Sequence, residues 1–324
     1  LEISKNGQKG IGECAIFRGL SYDDVPDYEE KLTWLCENIH LDFEVLKKEL
    51  LHYPSIIFGL EQALLNLEHG EDFYFPSDFT DGKDSIKING LIWMGNADFM
   101  QSQIEEKLAK GFDCIKLKIG VDWKSEKEII KKLREKFPKE QLELRVDANG
   151  AFSYEEATIV LQELADLGIH SIEQPIKKSE VRSPKSEENS EKKSTDCCVP
   201  WNEMAKLCAE TPTPIALDEE LIGVIDFEEK KKLLETIKPQ YIILKPALVG
   251  GFSGSDEWIA IAESLGINWW ITSALESNIG LNAICQYTYT KKNPLPQGLG
   301  TGALFTNNFE THLQLEGDQM WHKK

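Results

Sequence analysis

Cys114-Ile115-Lys116-Leu117-Lys118-Ile119-Gly120 reads as a short strand. Strand side chains alternate, so Ile115, Leu117 and Ile119 share one face and Lys116 and Lys118 the other. Two neighbouring lysines turned inward are a poor choice for structure alone. Each is costly to bury, and each raises the cost of charging the other. Taken by itself, the stretch fits an edge strand with a solvated lysine face. The rest of the chain argues for a different account.

From Ile86 onward the sequence repeats a short apolar strand followed by an amphipathic helix. The strands fall at 91–94, 115–119, 143–146, 171–173, 215–217, 241–244, 269–272 and 297–299. The helices between them fall at about 98–110, 123–136, 153–167, 201–210, 227–237, 254–265 and 278–290. Strands alternating with helices in this way predict an α/β fold, a parallel sheet closed as a barrel. An open doubly wound sheet more often carries G-x-G-x-x-G in its first turn, and that motif is absent. Residues 1–85 have another texture, a short strand at 11–15 and helices at 27–39, 43–51 and 55–69, and read as an α+β block. The barrel is expected over 86–302, with a polar, disordered insert at 177–199, and the tail 303–324 is expected to return to the first block.

Composition bounds the function. The net charge of −19 over 324 residues argues against a nucleic-acid surface. Seven cysteines without a C-x-x-C pair suggest reduced thiols in a cytoplasmic protein rather than a disulfide scaffold or zinc site. No apolar run reaches the ~18 residues of a membrane span, so no membrane partner is expected. The chain begins at Leu1 inside a strand-like stretch, which suggests residues upstream.

The strand ends carry the chemistry, because such barrels gather them at one mouth. Asp147, Glu173 and Asp218 each directly follow an apolar run, on three consecutive strands. Three converging carboxylates repel one another unless a cation lies among them, and all-oxygen donors favour a hard ion such as Mg2+. Lys116 and Lys118 on the second strand face Lys245 on the sixth across the mouth. A desolvated lysine near other cations is expected to have a lowered pKa and to act as a base. A metal on the substrate carboxylate would stabilise the charge left by deprotonating the adjacent carbon. The deduced reaction is proton abstraction α to the carboxylate of a small molecule.

The order Lys116-x-Lys118, Asp147-Ala148-Asn149-Gly150, Ile172-Glu173-Gln174-Pro175, Ala216-Leu217-Asp218-Glu219 and Leu244-Lys245-Pro246 resembles the enolase superfamily, in its muconate-lactonising-enzyme-like subgroup. The likeness spans nearly the whole chain, including Gly10 to Glu13. Within the subgroup, Ala216 to Ile222, Ser273 to Leu281 and Gly298 to Phe305 look most like the o-succinylbenzoate synthases. The resemblance implies a modified TIM barrel, (β/α)7β, with an α+β N-terminal capping domain. It implies Mg2+, or Mn2+ in its place, on Asp147, Glu173 and Asp218. Lys118 would remove the α-proton of a succinylated hydroxycyclohexadiene carboxylate, then protonate the departing hydroxyl in a syn elimination. Lys116 would lower the pKa of Lys118, and Lys245 would stabilise the charge from the opposite face.

Further expectations attach to weaker positions. Asn149 is expected to support the metal shell or touch substrate. Glu219 is expected to point away from its neighbour Asp218 and to orient Lys245. Ser273 and Glu276 are expected near the succinyl tail, with a helix cap as the alternative for Glu276 and Ser277. Trp93 is a candidate for the mouth, and the six histidines read as structural or surface. Two rival activities share the same site chemistry, dipeptide epimerisation and N-acylamino acid racemisation. Dipeptide epimerases usually carry D-x-D after the seventh strand, where this chain has Ser273-Ala274-Leu275-Glu276. A non-catalytic ligand-binding barrel is the rival of another class, and the complete set of charged positions argues against it.

Overall fold

The computed structural model describes residues 1–178 and 201–323. The insert expected at 177–199, with Cys197 and Cys198, therefore lies almost wholly outside the described residues.

The chain opens with β1 (Glu2–Lys5) and β2 (Gln8–Ile11), then α1 (Tyr28–Asn38), α2 (Phe43–Glu49) and α3 (Pro54–His69). The barrel segment contains β3 (Ile86–Lys87), β4 (Gly90–Ile92), α4 (Ala97–Ala109), β5 (Cys114–Lys118), α5 (Trp123–Lys136), β6 (Glu143–Asp147), α6 (Tyr154–Asp166) and β7 (Ser171–Glu173). It continues with α7 (Asn202–Glu210), β8 (Ile215–Leu217), α8 (Phe227–Ile237), β9 (Tyr241–Leu244), α9 (Pro246–Val249), α10 (Gly251–Ser264), β10 (Asn268–Ile271) and α11 (Asn278–Lys291). A hairpin of β11 (Leu313–Glu316) and β12 (Gln319–His322) ends it.

β5 is not an edge strand. It pairs in parallel with β4 on one side and β6 on the other, and Lys116 is buried while Lys118 is partly so. Ile115 and Leu117 are fully buried, in one cluster with Ile129, Ile130 and Leu133 of α5. Each such side chain contributes about 1.5–3 kcal/mol relative to exposure. The alternation then turns Lys116 and Lys118 to the inside of the ring. Strands β4 to β10 form one parallel sheet in chain order.

The ring closes through isolated bridges, Ile88 to Gln297 and Thr272 to Gly298, where the sequence reading expected a strand at 297–299. Asn89 N–H donates to Gln297 O at 2.9 Å, and Gly298 N–H to Ile271 O at 2.8 Å. Pro294 and Pro296 lack the N–H a longer ladder needs. At Gly298 a Cβ would stand 2.1 Å from Thr272 Oγ1, so the seam admits no side chain there. The result is a modified TIM barrel of the (β/α)7β kind, with the N-terminal elements capping it.

In the capping block, Asn6 and Gly7 both have positive φ, 53° and 81°, as a two-residue hairpin turn of the primed type requires. The strand expected at 11–15 is displaced to Gln8–Ile11, and its pairing partner is β1. The block has its own apolar cluster around Leu35, Leu46, Ile56 and Leu60. Two glutamates fasten it to the barrel. Glu61 on α3 accepts from the N–H of Phe252 at 2.5 Å and Ser253 at 3.1 Å, at the start of α10. Glu13 accepts from the N–H of Ser277 and Gly280, both at 2.9 Å, at the start of α11. Carboxylates at helix N-termini are favourably placed. At Glu61 burial outweighs these bonds and pushes the pKa up to about 7.

The tail hairpin returns to pair with β3, and His322 packs against Phe73 and Phe79 of the loop after α3. Among the described residues no helix is long and apolar enough to cross a membrane.

Candidate active site

Parallel register brings the charged strand ends together. Lys118 stands beside Asp147, and Asp147 beside Glu173. Lys116 Nζ lies 2.6 Å from Glu173 Oε2 and 3.0 Å from Asp147 Oδ2. Lys118 Nζ lies 3.2 Å from Asp147 Oδ2 and donates to Asn149 Oδ1 at 2.6 Å. Lys245 Nζ donates to Asp218 Oδ2 and lies 4.0 Å from Glu173 Oε1. A cavity of about 180 Å³ opens above them, lined by Lys116, Lys118, Asp147, Asn149, Glu219, Lys245 and Ser273. Glu173 and Asp218 sit beneath it, each only 2% exposed.

The local turns explain how the acids are held. Gln174 accepts from the N–H of Asp218 and of Glu220 and donates to the Glu220 carboxylate, which ties the end of β7 to the end of β8. Asn149 adopts positive φ, 44°, and its Nδ2 donates to Glu219 Oε1 at 2.9 Å. It thus bridges Lys118 to Glu219.

Burial alone would lower the pKa of Lys116 and of Lys245. For Lys116 the carboxylates of Asp147 and Glu173 outweigh it, and for Lys245 those of Asp218 and Glu173 do. Both ammonium groups are held above the ordinary lysine value. Mutual repulsion of the lysines is the smaller effect because each faces an acid. Asp147 resists burial through Lys116, Lys118 and Lys245 and falls below the usual carboxylate range. Glu173 moves the other way, raised by burial and by the neighbouring Asp147 charge.

That imbalance tests the expected metal. Among the described residues, Glu173 Oε1 and Glu219 Oε2 are buried without a hydrogen-bond partner. Buried oxygens of that kind are costly unless a cation or donor meets them. Asp147, Glu173 and Asp218 offer a hard, all-oxygen donor set of the kind that suits Mg2+, with Lys116 and Lys245 as the cations now facing it.

Two weaker expectations change. Glu219 points into the cavity, not away from it, because the chain leaves β8 at Leu217 and turns through a short 3-10 helix at Glu219–Leu221. It bonds Asn149, and its charge also bears on Lys245. Glu276 does not line the cavity. Only 1% exposed, it accepts from Ser273 Oγ at 2.5 Å and Ala274 N–H at 2.8 Å, and burial raises its pKa to about 7. It therefore positions Ser273, while Ser277 caps α11 through Ile279 N–H. Trp93 does line the cavity.

Phe17, Leu20, Asn89 and Thr301 also line it and escaped the sequence reading. Phe17 and Leu20 lie in the irregular segment before α1, where no periodicity marks a direction. Thr301 falls within Gly298 to Phe305, a stretch with a family likeness but no charged residue to draw attention.

A family model described as enolase C-terminal domain-like matches residues 100–186 and 196–319. The chain belongs to the enolase superfamily. Among superfamily members, it is 41% identical to the o-succinylbenzoate synthase of Desulfotalea psychrophila, over 98% of this chain and 89% of that protein. The crystal structure of MenC from the same organism superposes with a TM-score of 0.85, at 40% identity, covering 99% of this chain and 92% of that one. The N-succinylamino acid racemase of Thermus thermophilus is 33% identical over 55% of this chain and 40% of that protein.

Proposed function

We propose that this protein is an o-succinylbenzoate synthase, a lyase that dehydrates a succinylated hydroxycyclohexadiene carboxylate to the aromatic succinylbenzoate. The observation that carries the reading is the placement of Lys118, on β5, and Lys245, just past the end of β9, on one cavity with the buried acids between them. The near full-length likeness to a synthase supports it.

Asp147, Glu173 and Asp218 would hold Mg2+, which supplies Lewis-acid stabilisation of the negative charge that develops on the substrate carboxylate. In its neutral form Lys118 takes the α-proton, and the electron pair moves toward the carboxylate. Lys118, now an ammonium, gives that proton to the hydroxyl on the same face of the ring. The C–O bond breaks, water departs and the ring becomes aromatic, which returns Lys118 to neutral. Lys116 and Lys245 contribute positive charge around the developing enolate. Asn149 orients Lys118, and Ser273, whose proton goes to Glu276, shapes the cavity wall. The same lysines would serve racemisation, and it is the near full-length likeness to a synthase that favours elimination. We place the enzyme in the cytoplasm on its composition and on the five free cysteines among the described residues.

The test is a dehydration assay on the purified chain with Mg2+, alongside proton exchange in deuterated water. Aromatic product is expected. Absence of both product and α-deuterium incorporation overturns the reading, and faster turnover of N-succinylamino acids would transfer it to racemisation.

A further inference from the structure

Away from the cavity at the barrel mouth, Asp72, His312 and His322 meet. Asp72 Oδ2 lies 2.5 Å from His312 Nδ1 and 3.0 Å from His322 Nε2. The other ring nitrogen of His322, Nδ1, lies 3.2 Å from the carbonyl oxygen of Thr80. A carbonyl only accepts, so Nδ1 carries the proton. In a neutral ring Nε2 then presents a lone pair, and that lone pair faces a carboxylate oxygen, which also only accepts. The His322 side chain is 0% exposed. Either a buried imidazolium sits there or a cation lies between nitrogen and carboxylate. A second observation favours the cation. Among the described residues, Asp72 Oδ1 is buried without a hydrogen-bond partner, so half of the carboxylate is unused.

We propose that Asp72, His312 and His322 form a site for a divalent transition-metal ion. The three donor atoms lie within 4.8 Å of one another. Tetrahedral bonds of ~2.0–2.1 Å demand a donor spacing of about 3.3 Å, which the His322 contact at 3.0 Å nearly meets and the half-exposed His312, at 2.5 Å, reaches by moving outward. Two imidazoles with one carboxylate suit Zn2+ and its neighbours rather than Mg2+. The Thr80 carbonyl fixes the His322 tautomer that ligates, the usual outer partner of a metal-bound histidine. The hairpin keeps the histidines adjacent, since Leu313 pairs with His322 and Lys323 N–H bonds His312 O. His312 and Asp72 also line an open cleft of about 670 Å³, which leaves room for water as the remaining ligand. The ion would tie the loop after α3 to both ends of the tail hairpin.

The test is equilibrium dialysis of the full chain against Zn2+ in excess Mg2+, which keeps the barrel mouth filled. One zinc per chain is expected, with a raised unfolding temperature. His312→Ala, at a half-exposed position that should not disturb folding, is expected to weaken zinc binding by roughly a hundredfold and to leave Mg2+-dependent turnover unchanged. Zinc binding that is absent in the wild type, or equal in His312→Ala, overturns the site. So does a His322 ring that keeps protons on both nitrogens by NMR with zinc present, which would make the cluster an imidazolium–carboxylate pair.

Discussion

The barrel mouth and the Asp72 joint both gather buried charge, but they are built in different ways. At the mouth the groups arrive from consecutive parallel strands, and each acid faces a lysine. At the joint one carboxylate oxygen faces two imidazoles, brought in by a loop and a returning hairpin. The mouth has oxygen donors only and cations of its own, so it can hold charge ready for a reaction. The joint has nitrogen donors and no lysine among its three members, so its cation must come from protonation or from a metal. The contrast suggests that changes at the mouth fall on turnover and changes at the joint fall on stability.

The largest effect should come from Lys118→Ala. Asp147 keeps Lys116 as its partner, so the fold should survive by circular dichroism, while kcat falls by about 10²–10⁴, the worth of a general acid–base. Retained activity would move the base elsewhere. Asp218→Asn should weaken Mg2+ binding by roughly a hundredfold, read by calorimetry, and an unchanged affinity would remove it from the donor set.

Glu61→Gln tests the fastening of the cap. The folded pKa of Glu61 is raised from 4.5 to about 7, so the folded state holds a proton that the unfolded state releases. That contribution is full below pH 4.5, is lost as pH rises toward about 7, and is constant above it. Urea titrations across this window should show wild-type stability falling with a share of up to about 3 kcal/mol from Glu61. The fall should shrink in Glu61→Gln, and identical profiles would refute the assignment.

Asn149→Ala should lower kcat about tenfold, the worth of one hydrogen bond to a charged group. A loss as large as that of Lys118→Ala would make Asn149 more than a support. Smallest of all, His312→Ala without added metal should change stability by less than about 1 kcal/mol, since its side chain is 43% exposed. A larger loss would mean that the joint needs no metal to matter.

The same contrast explains what could be read in advance. Lys116, Lys118, Asp147, Glu173 and Lys245 could be oriented from sequence because strand alternation and parallel register are regular. Glu219 could not, because alternation stops at Leu217 and a turn of 3-10 helix re-aims the next side chains. Glu276 looked like a substrate contact or a cap and instead supports Ser273 from below. Nothing near Asp72 in sequence announces His312 or His322. Their meeting depends on where the tail returns, and no local pattern encodes that.

The seam of the barrel has a kinetic consequence. Ile88 and Gln297 stand at opposite ends of the barrel segment, yet their bridge joins the first strand to the last. Bringing them together carries the full entropy of closing that loop, while the βα units between them need only local contacts. Refolding should therefore build the arc from β4 to β10 first and join its ends last. In hydrogen exchange, the amides of Asn89 and Gly298 should then gain protection after those of β5 and β6.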